Sequence, residues 1–167
     1  MAAGSTYTPI ATTTLGSATA SVTFSSIVST YTDLVLIAQI VGTATSNIAL
    51  KFNNAGGTAY SNTWLGGNGT SASSSRDTSS AYIPIDGGNG YPASGETSIY
   101  NISINNYANT SIYKTLLSRA NNAARGLAAV VGLWQSTAAI NRIDIFVANG
   151  ANLGSGSTFT LYGIQAA

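Results

Sequence analysis

The stretch Thr97–Asn105, with the sequence TSIYNISIN, alternates polar and apolar side chains along most of its length. Alternate side chains of an extended chain point to opposite faces, so Tyr100, Ile102 and Ile104 share one face. A period of two predicts a half-buried β-strand. The same period recurs in two further stretches, Ile48–Phe52 and Ile143–Val147.

Most of the chain divides into short strands of this kind, separated by turns rich in Gly and Asn. About nine or ten strands are predicted, without alternation of strands and helices. Residues 116–131 contain several Ala, but the glycines and an Asn pair favour two strands joined across 121–125. The sequence therefore predicts an all-β antiparallel β-sandwich, with the jelly roll as first choice, in a single domain over residues 1–167.

Two kinds of strand have a special place in this prediction. Residues 34–41 are almost continuously apolar, which predicts a strand that is covered on both faces. Pro9 and Pro84 lack the backbone N–H that a central strand needs. The strands that contain them are therefore expected at sheet edges.

The composition limits the chemistry that is open to the chain. It has no His, no Cys and 11 charged side chains, six basic and five acidic, while 22 Ser, 21 Thr and 15 Asn supply the polarity. Charged residues make up 7% of the chain, against about 25% in an ordinary soluble domain. Few groups are able to move protons or bind metals, so we expect no enzyme, no metal site and no cofactor.

Charge and hydropathy also bear on partners. The net charge is +1 and the basic residues are scattered, which argues against a nucleic-acid partner. The longest apolar run is too short to cross a bilayer, and no secretory signal is visible. A surface with so little charge is prone to associate. We therefore expect a protein that is made in a cytosol and joins an assembly.

Two segments lack the strand pattern. Residues 56–80 are rich in Gly, Ser and Asn and are predicted to form a loop-rich insert, and residues 86–95 form a second loop. Functional surface is expected in such segments.

Paired carboxylates are the one catalytic arrangement that the composition permits. Asp77, Asp86 and Glu96 lie in or beside the two loop segments, and glycoside hydrolysis on a β-sandwich needs two such groups. The alternative is structural: Asp77 pairs with Arg76 or caps a turn, and Asp86 opens an Asp-Gly turn. The absence of a histidine base favours the structural alternative.

Aromatic and basic residues near the loops are the candidate interface. Amphipathic rings of this kind anchor protein interfaces, stack on sugars, or close the ends of a sandwich, whereas Trp134 is expected in the core. Two arginines flank a predicted hairpin tip, where they dock on an acidic partner surface or lie in a solvated turn. The candidate interface residues are Tyr60, Trp64, Tyr82, Tyr91, Arg119 and Arg125.

Several stretches resemble small virion structural proteins of tailed bacteriophages that are rich in Ser, Thr, Asn and Gly, among them proteins of cyanobacterial phages. The similarity extends from about residue 7 to 164. It is carried by residues 24–36 (FSSIVSTYTDLVL), 113–119 (YKTLLSR), 132–140 (GLWQSTAAI) and 156–164 (GSTFTLYGI).

The resemblance implies a non-enzymatic particle component that is assembled in the cytoplasm of a bacterial host. In this family, small jelly-roll proteins serve as trimeric cement or decoration proteins on the capsid exterior, where they bridge subunits of the major capsid protein. Others form tail fibres or tail tips that bind a host surface glycan. The first expectation is a homotrimeric capsid cement protein, and the alternative is a glycan-binding tail protein.

Overall fold

The computed structural model describes residues 6–165, which form two antiparallel sheets. The larger has eight strands in the order β1-β12-β3-β8-β9-β10-β5-β6, and the smaller has four in the order β2-β11-β4-β7. The strands are β1 (Tyr7–Thr14), β2 (Ser21–Phe24), β3 (Asp33–Val41), β4 (Ile48–Phe52), β5 (Tyr60–Gly67), β6 (Ala72–Ser80), β7 (Ile83–Pro84), β8 (Thr97–Asn105), β9 (Lys114–Asn122), β10 (Gly126–Trp134), β11 (Ile143–Val147) and β12 (Thr158–Ile164).

Eight of these strands form a jelly roll. β1 pairs with β12, β2 with β11, β3 with β8, and β4 with β7, so the antiparallel pairs are nested as in one long hairpin. The hairpin is rolled so that β1, β12, β3 and β8 lie in one sheet and β2, β11, β4 and β7 in the other. The predicted antiparallel sandwich is confirmed, and its strand order is that of a jelly roll.

The other four strands are two hairpins inserted into the jelly roll. β5 and β6 come between β4 and β7, and β9 and β10 come between β8 and β11. Together they extend the larger sheet beyond β8. We call β1, β12, β3 and β8 the jelly-roll half of this sheet, and β9, β10, β5 and β6 the added half.

The prediction for residues 56–80 needs correction. The segment is an insertion, but it contains β5 and β6 and is therefore not a loop. These two strands raise the count among the described residues from about ten to twelve. Every side chain of β6 from Ala72 to Ser79 is exposed, so no apolar face marks this strand in the sequence. Pairing with β5 creates the strand.

The core lies between the two sheets. Leu36, Ile102 and Phe159 of the larger sheet and Leu50 and Ile145 of the smaller one are fully buried. Each such side chain contributes about 1.5 to 3 kcal/mol on burial. The predicted alternation along β8 and β11 is thus the origin of the core.

Three further expectations concern single strands. β1, which contains Pro9, and β7, which contains Pro84, are edge strands, as predicted. The prediction that residues 34–41 are covered on both faces is wrong for the middle of β3, where Ile37 is 40% exposed and Gln39 is exposed. The smaller sheet covers one face of β3, and the other face is open there.

Candidate assembly surface

The outer face of the eight-stranded sheet is the face that points away from the smaller sheet. Strand β9 shows the division, because Leu116 and Ser118 are buried while Leu117 and Arg119 are exposed. A surface built on strands of one sheet is more rigid than one built on loops.

Six large apolar side chains lie on this outer face and are 40% to 63% exposed. Four of them belong to the added half, and the other two belong to the neighbouring strands β8 and β3. We call this set the outer patch, which consists of Leu65 on β5, Leu127 and Val131 on β10, Leu117 on β9, Ile99 on β8 and Ile37 on β3.

The strand register brings together the four members of the patch that belong to the added half. Leu117 lies directly opposite Val131, and Leu65 lies opposite Ala129, which separates Val131 from Leu127 on the same face of β10. Side chains opposite each other have Cβ atoms about 5 Å apart. Asn121, Arg119 and Asn101 lie between this group and the two residues Ile99 and Ile37. The region from β3 to β5, four interstrand spacings of about 4.8 Å by three rows about 7 Å apart, covers roughly 300 Å² and contains both apolar and polar side chains.

One cation lies within the outer patch. Arg119 is directly opposite Asn101 on one side and Ala129 on the other, and it is exposed. Among residues 6–165 it forms no ion pair. Arg76, opposite Thr63, adds a second positive charge at the β6 edge. The outward positions of β8, β9, β10 and β5 carry no carboxylate, whereas Asp33 lies at the first outward position of β3.

Tyr60 is not part of this surface, which corrects its place among the candidate interface residues. Its side chain is 0% exposed, and its ring stacks on Trp134 with 6.5 Å between the ring centroids. The hydroxyl accepts the N–H of Phe52 at 2.9 Å and donates to the Phe52 carbonyl at 3.2 Å. Tyr60 and Trp134 both belong to the core, as was expected for Trp134 alone.

The other three aromatic candidates are half-buried and each is packed within the chain. Trp64 points inward from β5 against Gly87, where any Cβ would lie 2.9 Å from the indole. Tyr82 meets Phe146 edge to face at 5.8 Å, and the Arg125 guanidinium lies 5.1 Å above the ring of Tyr91. These rings are therefore not a free platform for stacking on sugars.

Arg125 lies at the tip of the predicted hairpin, which joins β9 to β10 across residues 123–125. Its Nε donates to Glu96 at 2.5 Å, and this bond holds the pKa of the Glu96 carboxyl below its usual value. Asn122, on the same tip, donates to Glu96 at 3.0 Å. A shallow cleft of about 370 Å³ opens between this tip and the β5–β6 turn around Asn68.

The three candidate carboxylates have separate surroundings. Asp77 is exposed on β6 and accepts the N–H of Ser79 at 3.0 Å. Glu96 is held by Arg125. Both form contacts of the structural kind, and among the described residues no three His, Cys, Asp or Glu side chains converge on a metal position.

Asp86 is fully buried below the boundary between the two halves of the sheet. The N–H of Ile48 donates to it at 2.6 Å, that of Gly88 at 3.5 Å, and the hydroxyl of Tyr100 at 3.3 Å. Burial raises the pKa of the Asp86 carboxyl to about 7, and the three hydrogen bonds oppose this rise. A carboxyl with such a pKa suits proton transfer, but its burial keeps it out of reach of a substrate.

Sequence reasoning missed most of the outer patch, although a signal was present. Leu116-Leu117, Val130-Val131 and Trp64-Leu65 are pairs of neighbouring apolar residues in strands. In a strand, one member of each pair must face outward. Such pairs in several strands predict apolar residues on the outer face of the sheet as well as on the inner one.

Comparisons with known proteins give no family. No family model matches the chain, and no curated protein matches it. Within residues 6–165 there is no helix of the length and hydropathy required to cross a membrane.

Proposed function

We propose that the chain is a non-enzymatic structural subunit of a tailed-phage virion, a capsid cement protein that stabilises the shell by bridging major capsid protein subunits as a homotrimer. The observation that carries the proposal is the outer patch. Folding of the single chain does not need these exposed apolar side chains, whereas assembly with other protein does. The resemblance of the sequence to phage structural proteins supports a phage virion as the assembly that the chain joins.

The mechanism is burial of surface at several points at once. Covering apolar surface contributes about 25 cal/mol per Å², less the cost of immobilising the subunit. A trimer that contacts the shell at three points gains further from effective concentration, because the second and third contacts form within one complex. Such a subunit needs a rigid, nearly uncharged body and no reactive group.

Two measurements test the proposal. The first is the copy number of the chain in purified particles, which is expected in the hundreds for a cement protein and at a few dozen at most for a tail protein, because the shell offers many more repeated sites than the tail. The second is the temperature at which particles release their genome, measured with and without added chain. The proposal is overturned by a low copy number, or by a genome-release temperature that is the same with and without added chain.

A matched pair of variants shows whether the outer patch is responsible. Val131→Asp places a charge in the outer patch, and Thr14→Asp places one at an exposed outward position of β1 in the jelly-roll half. We expect Val131→Asp to lose particle stabilisation and Thr14→Asp to retain it. Equal behaviour of the two variants contradicts a role for the patch.

A glycan-binding tail protein is the second candidate, and the cleft at the hairpin tips favours it. Asn68, Asn121 and Arg125 line this cleft with amide and guanidinium groups that suit sugar hydroxyls. The test is binding of the purified chain to an array of bacterial surface glycans. Binding that Asn121→Ala abolishes supports the tail function, and an array without signal leaves the cement function as the better account.

A further inference from the structure

Three Asn-Gly pairs lie between strands of the sandwich, at Asn68-Gly69, Asn89-Gly90 and Asn149-Gly150. In such a pair the backbone nitrogen of the glycine is able to attack the side-chain amide of the asparagine, because glycine has no Cβ that hinders the approach. The surroundings of the three pairs differ, and the difference decides which of them is able to react in the folded chain.

Two of the pairs are held by their surroundings. The N–H of Gly90 donates to the carbonyl of Asp86 at 3.2 Å, and Gly90 is packed so closely on Ala120 that a Cβ would lie 2.7 Å from the alanine side chain. The N–H of Gly150 donates to the carbonyl of Val147 at 3.0 Å. In both pairs the attacking nitrogen is already engaged in a hydrogen bond.

Gly69, in the turn between β5 and β6, has neither restraint. It is exposed, its φ is +89°, and an added Cβ would meet no atom within 4 Å apart from its chain neighbours. Within the part of the chain that the structure describes, its N–H donates no hydrogen bond. The nitrogen of Gly69 is therefore free to turn toward the Asn68 side chain without displacing a neighbour.

The side-chain carbonyl of Asn68 is surrounded by donors from its own turn. Its Oδ1 accepts the N–H of Thr70 at 3.0 Å, the hydroxyl of Thr70 at 2.8 Å and the N–H of Ser71 at 2.9 Å. The hydroxyl of Ser71 is a fourth donor, at 3.4 Å. Attack on Cγ moves negative charge onto Oδ1, and donors placed around an oxygen that becomes negative lower the barrier of such a reaction.

We infer that Asn68-Gly69 is a self-modifying site, at which the chain converts Asn68 into aspartate and isoaspartate without an enzyme. The nitrogen of Gly69 loses its proton to water and forms a bond to Cγ of Asn68, which closes a succinimide ring. The bond from Cγ to the side-chain nitrogen breaks, and this nitrogen takes a proton from water and leaves as ammonia. A second attack, by water, opens the ring at Cγ to give aspartate, or at the backbone carbonyl carbon to give isoaspartate.

The modification changes the surface beside the outer patch. Asn68 and Gly69 line the cleft at the hairpin tips together with Asn121, Arg125 and Leu127, and Leu127 belongs to the outer patch. A carboxylate replaces a neutral amide there, which lowers the net charge of +1 by one. The cleft is therefore a surface whose charge changes with the age of the chain, in a cement protein and in a tail protein alike.

Peptide mapping by mass spectrometry tests the inference on the full folded chain, incubated at mildly alkaline pH, because it compares all three pairs in one sample. Methylation by an isoaspartyl methyltransferase identifies the isoaspartate product. We expect Asn68 to react at least about tenfold faster than Asn89 or Asn149. The chain unfolded in urea is the control: there the three pairs lose their different surroundings and are expected to react within about threefold of one another, and no faster than Asn68 does in the folded chain.

A matched pair of threonine variants tests the part played by the donors. Thr70→Val removes the hydroxyl at 2.8 Å and keeps the backbone N–H and the branched shape. It is expected to slow the reaction of Asn68 by about tenfold, less than the loss of a buried oxyanion donor, because the turn is exposed to water. Thr63→Val makes the same exchange at an exposed position of β5 and is expected to leave the rate unchanged.

Three results would each contradict the inference. The first is a rate at Asn68 no higher than that at Asn149 in the folded chain, and the second is a rate at Asn68 that rises when the chain is unfolded. The third is a Thr70→Val variant that reacts as fast as the original chain or faster, since the donors would then hold the side chain in place instead of activating it. All three are measured on the covalent state of the single chain, so they are independent of the copy number that tests the proposed function.

Discussion

The two halves of the large sheet have similar inner faces and different outer faces. The inner side chains of both halves are buried, as Leu36 in β3 and Val130 in β10 show. On the outer face, β1 and β12 present threonines together with Tyr7 and Tyr162, whereas β9, β10 and β5 present leucine and valine. The inner faces form the folding core, and the outer aliphatic residues of the added half are the surface proposed for assembly.

The two edges of this sheet are protected by different residues. β1 is interrupted by Pro9 and by a register shift between Pro9 and Ala11, features that prevent pairing with a further strand. β6 contains no proline, but its pairing with β5 also shifts register, between Tyr60 and Asn62, and it carries the charged residues Arg76 and Asp77. Proline protects the edge of the jelly-roll half, and charge protects the edge of the added half.

The largest expected effect is on the free energy of unfolding, when neighbouring residues on the inner and outer faces of the added half are changed in turn. Val130 is 0% exposed and Val131 is 55% exposed. Val130→Asp buries a charge without a partner and is expected to lower the free energy of unfolding by about 4 kcal/mol or more. Val131→Asp changes an exposed position and is expected to alter it by less than about 0.5 kcal/mol.

Urea unfolding of both variants under conditions that keep the chain monomeric measures this difference. The equivalent pair in the jelly-roll half, Leu36→Asp and Ile37→Asp, is the control, because Leu36 is buried and Ile37 is 40% exposed. Should Val131→Asp destabilise the monomer as much as Val130→Asp, the outer face would be part of the folding core and the comparison would lose its basis.

The next effect concerns Asp86, at the boundary between the two halves. Its pKa is about 7 in the folded chain and 3.8 in the unfolded one, so the folded state binds the extra proton between these values. Stability from this group is complete at acid pH and is lost as the pH rises to 7. From pH 4.5 to pH 8 the free energy of unfolding is expected to fall by roughly 3 kcal/mol.

Comparison with Asp86→Asn isolates this contribution. The variant cannot ionise at position 86, so its stability is expected to change less over the same pH range. Glu96, whose pKa is held below 4.5, and Lys114, whose pKa burial lowers, are present in both proteins and cancel in the difference. Identical pH profiles for the two proteins would show that Asp86 does not titrate in this range.

The sequence predicts the jelly-roll half well, because each of its strands faces one apolar core. The alternation along Thr97–Asn105 and the proline in β1 are local signals, and both were interpreted correctly. β5 and β6 were missed because their local signal is weak: β5 ends in Gly66-Gly67, and β6 is polar on both faces. β5 is held by the distant strand β10 and β6 by its hairpin with β5, and propensity describes neither pairing.

The candidate surface was harder to predict than the fold. Tyr60 was assigned to an interface because it lies next to Gly- and Asn-rich residues. Proximity to a loop in the sequence does not determine which face of the sheet its side chain occupies. The register of β5 places Tyr60 inward and Leu65 outward. A shift by one residue exchanges the two faces, so the outer patch could be recognised only once the pairing was known.

The smallest effect is expected when the added half is made to resemble the jelly-roll half. Leu65→Thr and Val131→Thr replace exposed apolar residues by the type that β1 and β12 present outward. Threonine suits an exposed strand position, so the free energy of unfolding of the monomer should change by less than about 0.5 kcal/mol.

Association is the property that this double variant should change, because it removes apolar area from the outer patch without adding charge. Thr12→Val with Thr160→Val is the reverse exchange at outward positions of the jelly-roll half, where it creates apolar area away from the patch. Light scattering of both double variants under identical conditions compares them with the original chain. We expect Leu65→Thr with Val131→Thr to reduce association and Thr12→Val with Thr160→Val to leave ordered association unchanged. This result would show that association depends on where the apolar residues lie on the sheet. If both exchanges change association in proportion to apolar area alone, the outer patch acts as a general hydrophobic surface and not as a docking site.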